Sequence, residues 1–307
     1  MNAFDSRGGF IEELEGYASA LEASGEYRIL RRLRLRKAAS PPDAASTRRA
    51  VFVDTETTGL DPESDEVLEL AMLAFDYRID GTFASPAGSF DRLRDPGRPI
   101  PAEVSALTGI TDEMVCGKHI DPVEVAAFVE GAALVIAHNS AFDRRFCERL
   151  FPVFAQKPWA CSLHEVDWKA EGFESSRLSQ LANGDGFFFD GHRALNDCEA
   201  ALELLSRPLP RSGRTVLSAL LESARRPRWR IRALGAPYAL RDVLKRRGYR
   251  WEPGVATTRG AWWSEVAEEA FETECDFLRT EIYRRNDAVI DARLLTAFER
   301  YSDRSEF

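Results

Sequence analysis

Two acids set two residues apart, Asp54 and Glu56, stand inside the stretch VFVDTETTGL at residues 51–60. Their apolar flank (Val51, Phe52, Val53) and the glycine at position 59 read as a buried strand running into a turn. Side chains on a strand repeat every second residue, so both carboxylates share one face. Burying two like charges side by side is costly unless a cation compensates them. The competing reading, a pair of solvated acids at a strand end, fits that apolar flank less well. Three more polar residues fall where the chain can bring them to the same place. Asp143 lies on the first turn of a helix after the apolar stretch AALVIAH (132–138), and His192 and Asp197 stand five apart at the start of another helix. Four carboxylates together call for cations, and hard oxygen donors select Mg²⁺ or Mn²⁺ over zinc. Two such ions about 4 Å apart activate a water and stabilise the leaving oxygen of a phosphodiester. A histidine with a free pKa of about 6.5 is suited to take that water's proton at neutral pH.

The elements needed to position these residues are legible from periodicity. Helical spacing of Leu14, Tyr17, Leu21, Leu30 and Leu33 predicts helix over 10–37, broken at Gly25, and its end RILRRLRLRK (28–37) is basic and amphipathic. That face suits a phosphate backbone or anionic lipid, or equally a solvated surface over packed leucine stems. ASPPDAAST (39–47) reads as a linker. The strand at 51–56 is followed by strands at 67–77 and 81–90 around an Asp80-Gly81 turn, an antiparallel meander. Short helices at 102–107 and 121–131 lead to the strand 132–138. A helix at 141–150, a short strand at 159–163, a short helix at 175–183 and a long amphipathic helix at 191–206 complete a mixed α/β sheet flanked by helices. Helices at 214–224 and 239–248, two strands in YRWEPG and GAWWSEV, and helices at 265–285 and 286–302 make a small C-terminal α+β module. The expected division is an N-terminal helical extension and linker over 1–47, a catalytic region over 48–208 and the C-terminal module over 209–307.

Composition narrows the function classes. A chain of 307 residues, 44% hydrophobic and 30% charged, can bury a substantial core. No apolar run approaches the roughly eighteen residues of a membrane span, and MNAFDSRGGF carries no apolar signal-peptide core. The five cysteines are scattered, with no CxxC pair, which leads us to expect a reduced cytoplasmic setting. A net charge of −9 conceals strong asymmetry: residues 51–210 stand at −15 and residues 211–250 at +10. Phosphates respond to the nearby surface rather than to the distant sum.

VFVDTETTGL, AHNSAFDRRF and GHRALNDCEA resemble the three exonuclease motifs of the DEDD superfamily in its histidine-containing subgroup. That subgroup includes the proofreading subunit of bacterial replicative polymerase and several RNA-trimming enzymes. The intervening DPGRPIPAEVSALTGITDEMV resembles the stretch that members closest to the proofreading subunit carry, and the likeness covers about residues 49–205. The resemblance implies a ribonuclease H-like mixed sheet and a two-metal 3′→5′ exonuclease releasing nucleoside 5′-monophosphates, with DNA favoured over RNA. Asp54 would bridge both ions, Glu56 and Asp197 would hold the ion that carries the attacking water, and Asp143 would support the second ion. His192 would accept the proton. Thr57, Thr58 and Leu60 would seat the terminal nucleotide, with Phe142 near the penultimate one, and a polymerase or repair protein is an expected partner. One departure is the short interval of 48 residues between Asp143 and His192, containing the run Phe187, Phe188 and Phe189. Those rings suit core packing better than base stacking, and His138 reads as structural.

The C-terminal module mixes arginines with Trp229, Tyr238, Tyr249, Trp251, Trp262 and Trp263. Basic and aromatic interleaving is how proteins bind single strands and duplex ends, so Arg228, Arg230, Arg232, Lys245, Arg246, Arg247 and Trp251 are candidate nucleic-acid contacts. The plainer reading gives the tryptophans to a small core. Two functional alternatives stay open beside the DNA exonuclease: a 3′→5′ exoribonuclease, and a non-catalytic nucleic-acid or polymerase-binding protein.

Overall fold

The fold is described from a computed structural model, covering residues 3–35, 47–254 and 260–305. Of the linker expected at 39–47, only Thr47 lies among the described residues. An N-terminal helix, α1 (Ala3–Ala23), precedes a two-residue strand, β1 (Arg31–Arg32). The long strand β2 (Thr47–Thr57) opens an antiparallel meander with β3 (Val67–Arg78) and β4 (Phe83–Leu93). Short helices α2 (Ala102–Thr108), α3 (Asp112–Val115) and α4 (Pro122–Val129) lead to β5 (Leu134–Ala137), which runs parallel to β2. After α5 (Ser140–Leu150), β6 (Trp159–Cys161) pairs parallel with β5, giving the mixed order β4-β3-β2-β5-β6. Helix α6 (Leu178–Gly184), strand β7 (Phe187–Phe188) and helix α7 (Ala194–Ser206) follow.

The sheet is covered on both faces, and β2 shows why its sequence is an almost unbroken apolar run. Ala50 and Phe52 enter one core with Cys198 and Ala201 of α7 and Leu217. Val51 and Val53 enter the other with Phe146 and Cys147 of α5. Burying a side chain such as Phe52 contributes about 1.5–3 kcal/mol. Strand β2 is therefore fixed in register from both sides before it reaches Asp54.

Two expectations are corrected. Helix α1 stops at Ala23, Gly25 turns the chain with φ 75° as glycine readily does, and the next segment is extended. Arg31 and Arg32 then pair in parallel with Phe187 and Phe188, while Arg31 meets Glu15 and Glu22, and Arg32 meets Asp190. Arg31 and Arg32 thus find their acids within the chain itself, Arg28 donates to the Asn183 and Gly184 carbonyls, and Arg36 and Lys37 lie outside the described residues. At the other end, the helices expected over 265–285 and 286–302 shrink to one helix and a strand. Helix α8 (Val216–Arg225) leads into β8 (Arg228–Ala233), α9 (Arg241–Arg246), β9 (Arg250–Glu252), β10 (Ala261–Ala267), α10 (Phe271–Phe277) and β11 (Asp291–Leu295). A π-helical turn, Leu278–Tyr283, extends α10. The four strands form an antiparallel sheet in the order β11-β8-β10-β9, because β8 offers an open edge to residues 291–295.

Residues 296–304 then return to the α/β part. The Ala297 carbonyl accepts from the Trp159 backbone at 2.7 Å. Arg144, fully buried on α5, donates to the carbonyls of Phe298 and Arg300 at 2.6 Å each and to that of Ala297 at 3.3 Å. Arg300, equally buried, reaches the Glu165 carboxylate at 3.0 Å, and the Tyr301 hydroxyl donates to the other oxygen of Glu165 at 2.9 Å.

Candidate active site

The alternation that sends Ala50 and Phe52 toward α7 also sends Asp54 and Glu56 there. Asp197, on the first turn of α7, meets them: carboxylate oxygens of Asp54, Glu56 and Asp197 all lie within 4.8 Å of one another. Asp143 arrives from the other side of the sheet, on α5. Its Oδ1 accepts from the Thr55 backbone N–H at 3.0 Å and from the Thr55 hydroxyl at 2.8 Å. Thr55 has the opposite parity to Asp54, so Asp143 approaches the strand end from the face the triad does not occupy. The four sequence-predicted acids thus converge, three as one cluster and the fourth hydrogen-bonded at its edge.

Among the described residues, no lysine or arginine forms an ion pair with any of these four acids. Their protonation equilibria show the consequence. Burial, then the nearby Asp143, pushes the Asp54 carboxyl well above its usual range. Burial, then Asp197, raises Glu56 to about 8. Burial raises Asp143 to about 7 despite the two bonds from Thr55, and raises Asp197 to about 6 against the opposing field of His192. An oxygen-only donor set that its own chain leaves uncompensated fits a hard divalent cation, Mg²⁺ or Mn²⁺.

His192 is exposed two residues before α7, with φ 64°. Its neighbour Arg193 anchors that turn. The Arg193 backbone N–H donates to Asp197 Oδ2 at 3.2 Å, and its guanidinium grips Glu69 with Nη2–Oε1 at 2.6 Å and Nε–Oε1 at 3.1 Å. Glu69 Oε2 also accepts from the Ala194 backbone at 2.9 Å. Fully buried on β3 and paired in register with Glu56, Glu69 ties the start of α7 to the sheet. The sequence reading missed it. A lone acid within the apolar strand VLELAML was the available signal.

Thr57 and Thr58 are buried at the strand end. The Thr57 hydroxyl donates to the Gly59 carbonyl at 2.5 Å, while that of Thr58 donates to Asp65 at 3.1 Å and accepts from Arg98 at 2.7 Å. A Cβ at Gly59 would stand 2.3 Å from Asp65 Oδ2, so a side chain there would displace the Asp65 carboxylate from Thr58 and Arg98. Leu60 is 83% exposed, and Phe142 packs on Phe146 with ring centroids 4.9 Å apart. Phe187 is in the core, whereas Phe188 is exposed beneath the Arg32 guanidinium at 5.0 Å. His138 bonds the Ser162 hydroxyl at 2.9 Å and the Ser176 carbonyl at 2.8 Å, and burial lowers its pKa to about 4.

The seven C-terminal candidates do not form one surface. Arg228, Arg230 and Arg232 alternate on β8 with Trp229 and Ile231, which enter the module's core. Arg230 pairs with Glu265 at 2.7 Å, and Arg232 is buried near Asp291 and Glu252. Lys245, Arg246 and Arg247 lie on or just after α9, where Arg247 pairs with Glu274 at 3.0 Å and Lys245 lies 5.8 Å from the Trp262 ring. Trp251 is 54% exposed at the edge of Trp262.

A mixed sheet whose central strand ends in clustered oxygen donors, with a histidine on the adjoining turn, defines a metal-dependent nuclease. The RNase_T exonuclease family matches residues 51–205. The chain is 30% identical over 166 residues to the DNA polymerase III subunit epsilon of Aquifex aeolicus, spanning 52% of this chain and 79% of that protein. To the subunit epsilon of Treponema pallidum it is 32% identical over 163 residues, or 50% of this chain and 73% of that one. Among solved structures it is similar to exonuclease X in complex with 5′ overhanging duplex DNA, with a TM-score of 0.39 and 23% identity over 57% of this chain and 90% of the other. The chain belongs to the exonuclease family, as a DEDD-type 3′→5′ exonuclease related to the epsilon-like proofreading subunits and carrying further C-terminal residues. No helix among the described residues is long and apolar enough to cross a membrane.

Proposed function

We propose that this exonuclease acts on DNA, removing nucleotides from the 3′ end as nucleoside 5′-monophosphates with two Mg²⁺ or Mn²⁺ ions. The observation that carries the reading is the cluster of Asp54, Glu56 and Asp197 with Asp143 at its edge, all buried or half-buried and none ion-paired among the described residues. The names of the relatives support DNA as the substrate. Asp54, Glu56 and Asp197 would hold one ion, and Asp54 with Asp143 the second. Divalent cations, when bound, lower the pKa of water and neutralise charge on the transferring phosphoryl group. His192, exposed at the mouth of the cluster, accepts the proton of the attacking water on an imidazole nitrogen. Glu69 and Arg193 keep the His192 turn and Asp197 in place. Thr57, Thr58 and Leu60 line the seat of the terminal nucleotide, with Phe142 beside the penultimate one. A cytoplasmic setting, supported by five free thiols, and a replication or repair partner complete the reading.

The test is a degradation assay on 5′-labelled single-stranded DNA, duplexes with recessed or overhanging 3′ ends, and single-stranded RNA, in Mg²⁺, Mn²⁺ or EDTA. A ladder shortening from the 3′ end of DNA, lost in EDTA and in Asp54→Asn, is expected. Faster shortening of RNA would replace DNA by RNA, and retained binding with no shortening would favour a non-catalytic role. His192→Ala should lower single-turnover rates by roughly 10²-fold. An unchanged rate would remove His192 from the mechanism.

A further inference from the structure

The face of the C-terminal sheet opposite its core looks onto α5. Strand parity places Arg228, Arg230 and Arg232 of β8 on that face, and register brings Trp263 of β10 between Arg232 and Arg250 of β9. A cleft of about 420 Å³ lies there, lined by Arg228, Arg230, Arg250, Trp263 and Glu265 on one side and by Ala141 and His164 on the other. Its volume falls in the roughly 300–1,000 Å³ range of ligand sites.

The charges of the cleft are unequally matched. Glu265 is engaged by Arg230 at 2.7 Å. Among the described residues Arg228 reaches only the Ser223 hydroxyl, at 3.5 Å, and Arg250 rests over the Trp263 ring at 5.6 Å. Neither Arg228 nor Arg250 has an ion-pair partner among the described residues. Arg230 lies over the same indole at 4.7 Å, so two guanidinium groups hold the Trp263 ring. His164 is held below its usual pKa by burial and by Arg250, so it adds no opposing or supporting charge at neutral pH. On the far wall, Ala141 belongs to the first turn of α5, two residues before Asp143. Two helical residues rise about 3 Å, so the cleft begins beside the turn that carries the acid at the edge of the metal cluster.

We infer that this cleft holds the sugar–phosphate backbone of a single strand as it leaves the active site, with Arg228 and Arg250 on successive phosphates and the Trp263 indole holding the Arg250 guanidinium in place. Cations beside an aromatic platform are the general means of holding single strands without sequence preference. The inference rests on the exonuclease reading for the strand's direction, and it differs from a diffuse basic surface. It excludes Arg247, which is engaged by Glu274, and Lys245 and Arg246 of α9, which do not line the cleft.

The test uses the full chain and separates binding from turnover. Affinity for labelled 20-nucleotide DNA and RNA single strands is measured in EDTA over a range of salt, for the wild type, Arg228→Ala/Arg250→Ala and Arg250→Lys. Hydrolysis of the same strands and of a dinucleotide is measured separately in Mg²⁺. The double variant should lose roughly fivefold to tenfold in affinity for both long strands. Its salt slope should fall by about 1.4, since each single-strand phosphate contact contributes about 0.7. Dinucleotide hydrolysis should be unchanged, because a dinucleotide does not reach the cleft, and Arg250→Lys should keep the slope. Unchanged affinity and slope in the double variant would overturn the proposal, as would an equal loss on the dinucleotide. Absence of hydrolysis in the wild type, with the binding loss still seen, would defeat the exonuclease reading and leave the strand cleft standing.

Discussion

Buried acids occur in two settings in this chain, and their surroundings divide them by purpose. Glu165, at the C-terminal clasp, is met by Arg300 at 3.0 Å and by the Tyr301 hydroxyl at 2.9 Å. Glu69 is met by Arg193 at 2.6 Å and Glu274 by Arg247 at 3.0 Å. Asp143 is also buried and Asp54, Glu56 and Asp197 are half-buried, yet these four receive no cationic partner among the described residues. The first group fastens one part of the fold to another. The second carries its charge without a partner in the described chain, as the proposed cation site requires.

That contrast breaks first at the clasp. Arg300→Met leaves Glu165 buried without its cation, and removing one member of a buried pair costs about 3–5 kcal/mol. Urea unfolding should show a loss of that size, and Glu165→Leu/Arg300→Met should recover most of it. A loss below about 1 kcal/mol would mean that the clasp is solvated and the two settings are not distinct. Glu69→Gln comes next, because it loosens Arg193 and the α7 turn without touching the acid cluster's own donors. Turnover should fall by roughly 10–100-fold, as for residues that orient a ligand, with the urea midpoint shifted less than in Arg300→Met. Unchanged turnover would make Glu69 purely structural.

The smallest effect is the pH dependence of the metal-free chain. Carboxyls raised to about 8, 7 and 6 at Glu56, Asp143 and Asp197 bind protons in the folded state that the unfolded state has already released. Stability should therefore rise as pH falls from about 8 to about 6, by on the order of 1–2 kcal/mol. His138, lowered to about 4, acts in the opposite sense: its contribution is complete above about 6.5 and is lost as pH falls toward 4. Urea unfolding in EDTA at pH 8 and pH 6 should thus show the higher midpoint at pH 6, with His138 reducing the further gain below about 6.5. A profile rising steadily to pH 8 would show that the acids are not charge-burdened.

The site was legible because its spacing is local. A period of two puts Asp54 and Glu56 together, and a helix start at His192 brings Asp197 back to them. Which face Asp143 comes from was not legible, since spacing says nothing of the side on which α5 packs. The same limit explains the misread termini. Arg31 and Arg32 look helical by their leucines, but their strand partner is Phe187–Phe188, and residues 291–295 are claimed by β8. Likewise Arg300 meets Glu165 across 135 positions, a distance at which no periodicity reports. Local pattern also left the tryptophans undecided. Once β10 is known to be a strand, alternation sends Trp262 to the core and Trp263 to the cleft.

The most direct test of a cation site among these acids is titration calorimetry of Mn²⁺ into the metal-free chain at pH 7.5, in two buffers of different ionisation enthalpy. Saturable binding with release of protons, abolished in Asp54→Asn and retained in Glu165→Gln, is expected, because the ion displaces protons from carboxyls with raised pKa. Binding that is absent, or equal in the wild type and Asp54→Asn, would contradict it.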